Sequence, residues 1–175
     1  MYATGFYTMV EPSFFVALSG VTPGVANDNE AIGLEIDGNW YNDLGISVNL
    51  NATFQKAEID GGPLDGNSVQ RQPDWQFRIT PAYDFELGPT EITVYGTFTA
   101  VDDRFSDPAN LVEIDGYEKL DLGLIVAVDR LEFQIVADNV TDDDGLTEGD
   151  PRNPLAPNGR FILPRSFKFS VGYSF

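Results

Sequence analysis

The sequence predicts an all-β fold, an antiparallel up-and-down meander of about eight strands. Three observations lead there. The last ten residues, Ser166 to Phe175, alternate without a slip: Phe167, Phe169, Val171, Tyr173 and Phe175 fall on one side, and Ser166, Lys168, Ser170, Gly172 and Ser174 on the other. Alternation of this kind gives a strand one apolar face and one polar face. Over the rest of the chain, apolar residues recur at i, i+2, i+4 rather than at helical spacing, with β-branched and aromatic residues plentiful. The connections alternate between tight turns and long loops.

The first strand covers Tyr2 to Val10, with a continuation through Phe14 to Leu18. The second, Asn29 to Tyr41, sets Ile32, Leu34, Ile36 and Trp40 on one face. The third, Leu44 to Glu58, opposes Leu44, Ile46, Val48, Leu50, Ala52 and Phe54 to Gly45, Ser47, Asn49, Asn51, Thr53 and Gln55. The fourth, Asp74 to Leu87, opposes Trp75, Phe77, Ile79, Tyr83 and Phe85 to Gln76, Arg78, Thr80, Ala82 and Asp84. Pro81 falls on its apolar face, where a missing N–H should distort the ladder. The fifth, Thr90 to Val101, opposes Ile92, Val94, Phe98 and Ala100 to Thr93, Tyr95, Thr97 and Thr99. The sixth, Tyr117 to Val128, carries Leu120, Leu122, Leu124, Val126 and Val128. The seventh, Leu131 to Val140, opposes Leu131, Phe133, Ile135 and Ala137 to Glu132, Gln134 and Asp138. Ser166 to Phe175 is the eighth.

Tyr41-Asn42-Asp43-Leu44, Leu87-Gly88-Pro89-Thr90 and Val128-Asp129-Arg130-Leu131 read as tight turns. Ser19 to Asp28, Ile59 to Pro73, Asp102 to Gly116 and Thr141 to Arg165 are long. Short turns at one edge and long loops at the other is the asymmetry of an outer-membrane barrel, with turns periplasmic and loops extracellular. Aromatics sort the same way. Trp40, Tyr41, Phe85, Tyr173 and Phe175 lie near the short-turn edge, and Phe54, Trp75, Phe105, Tyr117 and Phe161 near the long-loop edge. Two such girdles fit two membrane interfaces. A soluble sheet would treat these rings as ordinary core, and has no reason to keep the loop parity.

Composition sets bounds. The 175 residues suffice for one domain, with 42% hydrophobic and 13% aromatic residues. No apolar run is long enough for a transmembrane helix, but a membrane strand turns only every second residue to lipid. A net charge of -18 disfavours nucleic acid and peripheral docking on an anionic membrane. With no Cys and no His, thiolate chemistry, the usual zinc ligand and Ser-His hydrolysis drop out, and no phosphate cradle or nucleophile elbow appears. No enzyme, no cofactor and no metal is expected. Met1-Tyr2-Ala3-Thr4 lacks the features of a secretion signal, so an exported chain is expected to be part of a longer protein.

Several segments resemble a known family. Phe133 through Asp142 is similar to a strand of the TonB-dependent outer-membrane receptors that ends in an Asn-apolar-polar-Asp turn, here Asn139-Val140-Thr141-Asp142. Gly145 through Arg152 resembles a segment found before the family's last strand, and Leu163-Pro164-Arg165 into Phe175 resembles the closing strand itself. Glu30 through Gly38 and Gly116-Tyr117 with Leu120-Asp121-Leu122 are similar to other barrel strands. The resemblance spans roughly Asn29 to Phe175. It implies that residues 1–175 are the C-terminal segment of a larger transmembrane barrel of roughly 22 strands, with the plug domain and the TonB-contacting region absent.

By that resemblance, the parent imports a siderophore, a cobalamin or an oligosaccharide across the outer membrane of a Gram-negative bacterium. Its partners are outer-membrane lipid, the barrel assembly machinery, the small-molecule nutrient, and TonB only through the absent N-terminal region. Phe167, Phe169, Val171, Tyr173 and Phe175 are the expected assembly signal; no ligand-binding residue is singled out. A complete eight-stranded barrel, acting as an anchor or adhesin, is the alternative.

Two constellations bear on ligands. Asp142, Asp143, Asp144, Gly145, Glu148 and Asp150 have the ingredients of a Ca²⁺ loop without EF-hand spacing, and an acidic surface loop is the commoner case. Asp102, Asp103 and Asp107 are similar in kind, with Arg104 placed to neutralise an adjacent Asp. Arg71, Arg78, Arg104, Arg152, Arg160 and Arg165 stand near the long-loop edge or the lumen. They are suited to gripping an anionic chelate, or simply offset the many acids.

Overall fold

The computed structural model describes residues 1–15, 25–150 and 158–175. Eight strands form one antiparallel sheet: β1 (Tyr2–Phe15), β2 (Val25–Tyr41), β3 (Ile46–Asp60), β4 (Trp75–Leu87), β5 (Thr90–Val101), β8 (Tyr117–Val128), β9 (Leu131–Asp138) and β12 (Ser166–Tyr173). Each pairs with its neighbour in chain order, as a meander requires. Two small hairpins sit in the long connections, β6 (Arg104–Phe105) with β7 (Glu113–Ile114), and β10 (Leu146–Asp150) with β11 (Asn158–Phe161). A single 3₁₀ turn, Gly62–Leu64, follows β3. Among the described residues no helix is long and apolar enough to cross a membrane, which does not bear on strands.

The register carries the alternation across the whole sheet. Leu34, Phe54 and Trp75 share a row, as do Ile36, Ala52, Phe77, Ala100 and Glu118. Val94, Leu124, Ile135 and Phe169 form another, and Ile92, Val126, Phe133 and Val171 the next. Paired residues point to the same face, so these rows build a continuous apolar belt. Trp75 stacks on Phe77 at 5.9 Å and Phe77 meets Phe98 at 5.8 Å. Leu34, Phe54, Tyr83, Val94, Ile135 and Phe169 are nevertheless exposed. A contiguous exposed apolar surface of this size marks an interface with something apolar.

The opposite face is polar. Asn51, Arg78, Thr99 and Lys119 make one row, and Thr53, Gln76 and Val101 another. The Thr80 and Thr97 hydroxyls meet at 3.0 Å, and Ser170 donates to Gln134 at 3.3 Å. Among the aromatics on this face, two each cover a glycine. Phe6 lies over Gly33 and Tyr95 over Gly123, where an added Cβ would come within 2.5 and 2.0 Å of the ring. The missing side chain makes room for the ring flat against the sheet.

The fully buried side chains lie in the long connections and the strand ends that they cover. Ile59, Ile114, Ser106, Asp107 and Asn139 are among them. The sequence predicts these connections as loops; the four short strands in them differ because two- to five-residue ladders carry too few alternations to register. Strand limits otherwise shift by a few residues. β2 begins four residues earlier than expected, at Val25, β3 two later, at Ile46, and β9 ends at Asp138. β1 reaches Phe15 with a register shift between Val10 and Ser13; its expected extension over residues 16–18 lies outside the described residues.

No ladder joins β1 to β12 among the described residues, so the sheet has two free edges. A closed eight-stranded barrel needs that ladder.

Candidate functional site

Three of the long connections, through 61–74, 102–116 and the described residues 139–150 and 158–165, fold onto one another beyond the same edge of the sheet. Residues 61–74 turn back on β3, where Ile59 N–H donates to the Asn67 carbonyl at 2.8 Å and Val69 N–H to the Ala57 carbonyl at 2.9 Å. They reach 102–116 through a reciprocal clasp. Ser68 N–H donates to Asn110 Oδ1 at 2.8 Å, and Asn110 Nδ2 returns a bond to the Ser68 carbonyl at 3.0 Å. Arg71 N–H bonds the Phe105 carbonyl at 2.7 Å.

Buried Asp107 organises the 102–116 connection by accepting from the N–H groups of Ala109, Leu111 and Val112 at 2.7–3.0 Å. A carboxylate with several such donors has its charge satisfied locally, which offsets its burial. Arg104 is buried too, but it does not neutralise an adjacent Asp side chain as the sequence suggested. Its guanidinium donates to the carbonyls of Leu146 at 2.8 Å, Thr147 at 3.0 Å and Asp102 at 3.3 Å, tying β10 to the 102–116 connection. Gly149 lies against Ser106 and Ile114 in the same seam.

Without that guanidinium, the neighbouring acids press on each other. The Asp102 carboxyl is raised above its ordinary value by burial first, then by Asp103. The Glu113 carboxyl is raised chiefly by a hydrogen bond with Asp103. Among the described residues no cluster of acids is placed to hold a metal ion. Of the acids with the ingredients of a Ca²⁺ loop, Asp142, Asp143 and Glu148 have other partners. Asp142 pairs with Arg165 at 2.9 Å, and Asp143 Oδ1 accepts the Gly145 N–H at 2.7 Å. The Asp150 side chain lies outside the described residues.

The Asn139–Asp142 turn shows why its residues are needed. Asn139 is fully buried with φ +51°, a left-handed conformation that Asn adopts more readily than most. Its N–H bonds Asp121 of β8 at 2.8 Å, and its Nδ2 donates to the carbonyls of Asp143 at 2.8 Å and Leu163 at 3.0 Å. Its Oδ1 accepts from Thr141 and Asp143. One side chain thus fixes the exit of β9, the start of the long connection and the approach to β12.

The candidate arginines divide. Arg71 and Arg160 both meet Glu148, at 2.9 and 3.3 Å. Arg165 is paired, Arg104 is structural, and Arg152 lies outside the described residues. Arg78 alone stands exposed on the polar face without an ion pair among the described residues. Its neighbours in register, Asn51 and Thr99, are uncharged. Lys168, also on this face, pairs with Asp138 at 2.6 Å.

β12 presents Phe167, Phe169, Val171 and Tyr173 on the apolar face, all exposed at the sheet edge. Phe175 follows the strand, edge-on to Tyr173 at 5.1 Å. All five expected assembly residues therefore share one surface stripe.

Residues 7–140 match the family described as TonB dependent receptor-like, beta-barrel, and the chain belongs to that family. Such barrels are outer-membrane receptors of Gram-negative bacteria and not enzymes. Among solved structures, 99% of this chain superimposes on 27% of the ferric yersiniabactin uptake receptor of Yersinia pestis, with a TM-score of 0.83 and 19% identity. The ferric preacinetobactin receptor of Acinetobacter baumannii gives 0.76 and 19%, with 99% of this chain on 27% of that one. The ferric-catecholate import receptor of E. coli K12 gives 0.78 and 21%, with 99% on 25%. The chain thus spans about a quarter of the length of these structures. No curated protein matches it.

Proposed function

We propose that the chain is the barrel-closing C-terminal segment of an outer-membrane nutrient receptor, and that the whole receptor imports a ferric chelate with energy delivered by TonB. Family membership over residues 7–140 supports the receptor reading, and the fold shared with ferric siderophore receptors favours iron over cobalamin or an oligosaccharide. The observation that carries it is the combination of an apolar belt, a polar inner face and a folded cap at one edge. That arrangement suits a lipid-embedded wall whose outer end meets the ligand. In this reading TonB acts through a region not contained in these residues, and Phe167, Phe169, Val171, Tyr173 and Phe175 present the strand that the assembly machinery reads.

Uptake of radioiron-loaded siderophores by cells making the full-length receptor tests the proposal. TonB-dependent accumulation is expected. Uptake of labelled cobalamin or oligosaccharide instead would replace the substrate, and accumulation unchanged by loss of TonB would refute the mechanism.

A further inference from the structure

Glu148 sits between two guanidiniums that reach it from different parts of the chain. Arg71, on the 61–74 connection, meets Oε1 at 2.9 Å, and Arg160 of β11 meets Oε2 at 3.3 Å. Local structure builds this fork. Leu146 faces Phe161 and Glu148 faces Arg160, so Thr147 is an extra residue on β10, a bulge. Buried Arg104 fixes the bulge by donating to the carbonyls of Leu146 and Thr147 at 2.8 and 3.0 Å. A bulge re-aims the side chains beside it, and here Glu148 reaches across to the neighbouring connection. Arg71 is held in place as well. Its φ of +64° lies in the left-handed region that non-glycine residues seldom adopt, and its N–H bonds the Phe105 carbonyl at 2.7 Å. Such a backbone persists where its surroundings fix it.

We propose that Arg71 and Arg160 form a binding site for a carboxylate of the ligand, and that Glu148 occupies this site until the ligand displaces it. The resident group states the chemistry that the fork takes, with one carboxylate oxygen on each guanidinium. Two guanidiniums and one carboxylate leave the fork one positive charge in excess, on a chain whose net charge is -18. The arginines are the accessible members: their side chains are 52% and 82% exposed, against 32% for Glu148. An anion from solvent therefore reaches both, and exposed ion pairs contribute too little net stability to exclude a competitor. Displacement cuts the Arg71–Glu148 link, so capture of the ligand frees the 61–74 connection from the β10–β11 hairpin. Glu148 is a built-in competitor that sets affinity and couples it to loop release. For the ligand's identity, though not for the site's chemistry, this rests on the reading of the receptor as an importer of ferric chelates.

Calorimetric titration of the full-length receptor with citrate, at fixed ionic strength, tests the site. Glu148→Gln should bind citrate about tenfold more tightly than wild type, because the internal competitor has lost its charge. Adding Arg71→Gln or Arg160→Gln to that variant should weaken citrate by about tenfold. Saturating citrate should speed hydrogen exchange of the 61–74 amides in the wild type, and Glu148→Gln should do so without citrate. Heat-dependent gel mobility reports folding, and Glu148→Ala serves if Glu148→Gln fails to fold. Binding by neither wild type nor the Glu148 variants, no gain in affinity from those variants, no loss from the arginine changes, or exchange unmoved by citrate would overturn the site. The expected citrate shifts without TonB-dependent uptake of ferric chelates would keep the site and remove the transport reading; uptake with no citrate response would do the reverse.

Discussion

Asn139 is fully buried, and its side chain makes four hydrogen bonds. Its side-chain amide joins the 141–143 turn to Leu163 while its backbone N–H reaches Asp121, and an Ala there leaves the Asp143 and Leu163 carbonyls without their donor. Loss of buried hydrogen bonds costs about 1–3 kcal/mol per stranded group. Asn139→Ala in the full-length receptor should therefore loosen the 139–165 connection, read as faster protease cleavage within it while the barrel still resists heat. The sequence flagged Asn139 through its motif, and the motif has this physical content. It pointed to Asp107 and Arg104 only as members of a charged cluster, not to the N–H groups and carbonyls that they bind. Their roles depend on carbonyls and N–H groups brought together by folding, and a lone Asp or Arg in an acidic loop looks like solvated charge. Proximity along the chain pairs Arg104 with the acids beside it, whereas the fold brings it the carbonyls of Leu146 and Thr147.

Asp103 provides a second test at this scale. Asp102 and Glu113 both sit above their ordinary values of 3.8 and 4.5, and Asp74 and Asp115 add repulsion of the same sign. A carboxyl raised in the folded state contributes stability below its unfolded value, and that contribution is lost as pH rises through the folded value. The 102–116 connection should thus be more tightly closed near pH 4 than at pH 7. Asp103→Asn should remove part of the neutral-pH penalty and flatten the dependence. Hydrogen exchange of the 102–116 amides, corrected for intrinsic rate, measures both; tighter closure at pH 7 in the wild type would contradict the assignment.

At the scale of elements, the eight main strands were legible because each turns one face to an apolar medium and the other to a polar one. That contrast survives as a period of two over eight or more residues. Val136 and Ile125 show its limit, since both are apolar yet share the polar face with Gln134 and Lys168. Adjacent Ile135 and Gln134 point to opposite faces of β9 and make a direct comparison. A lysine on the lipid side near the bilayer midplane costs about 2–4 kcal/mol, while one on the other face need not. Ile135→Lys should reduce the folded fraction in urea titration well beyond Gln134→Lys. The closing strand gives the other element-scale test. Deleting Phe175 from the full-length receptor should lower its abundance in the outer membrane, because the exposed aromatic stripe of β12 loses its terminal ring. Unchanged membrane levels would leave that stripe as a lipid anchor only.

For the whole molecule, the decisive feature is the pair of free edges. An edge strand carries unpaired N–H and C=O groups, and bilayer hydrocarbon offers them nothing. Eight strands can close into a small barrel, but closure needs β1 beside β12, and no such ladder forms among the described residues. The match to about a quarter of each receptor supplies the other reading, in which β1 and β12 meet different strands of a wider barrel. These 175 residues hold no cysteine, which makes the choice measurable, since a disulfide between two of them must come from introduced residues. Thr4 and Glu35 stand opposite each other on β1 and β2, so a Thr4→Cys, Glu35→Cys pair should oxidise readily in the full-length receptor. A Thr4→Cys, Ser170→Cys pair bridges the two edges and should stay reduced, because strands from the rest of the barrel would separate them. Efficient oxidation of the second pair would mean that β12 closes directly on β1, and the small-barrel architecture would then replace the receptor segment.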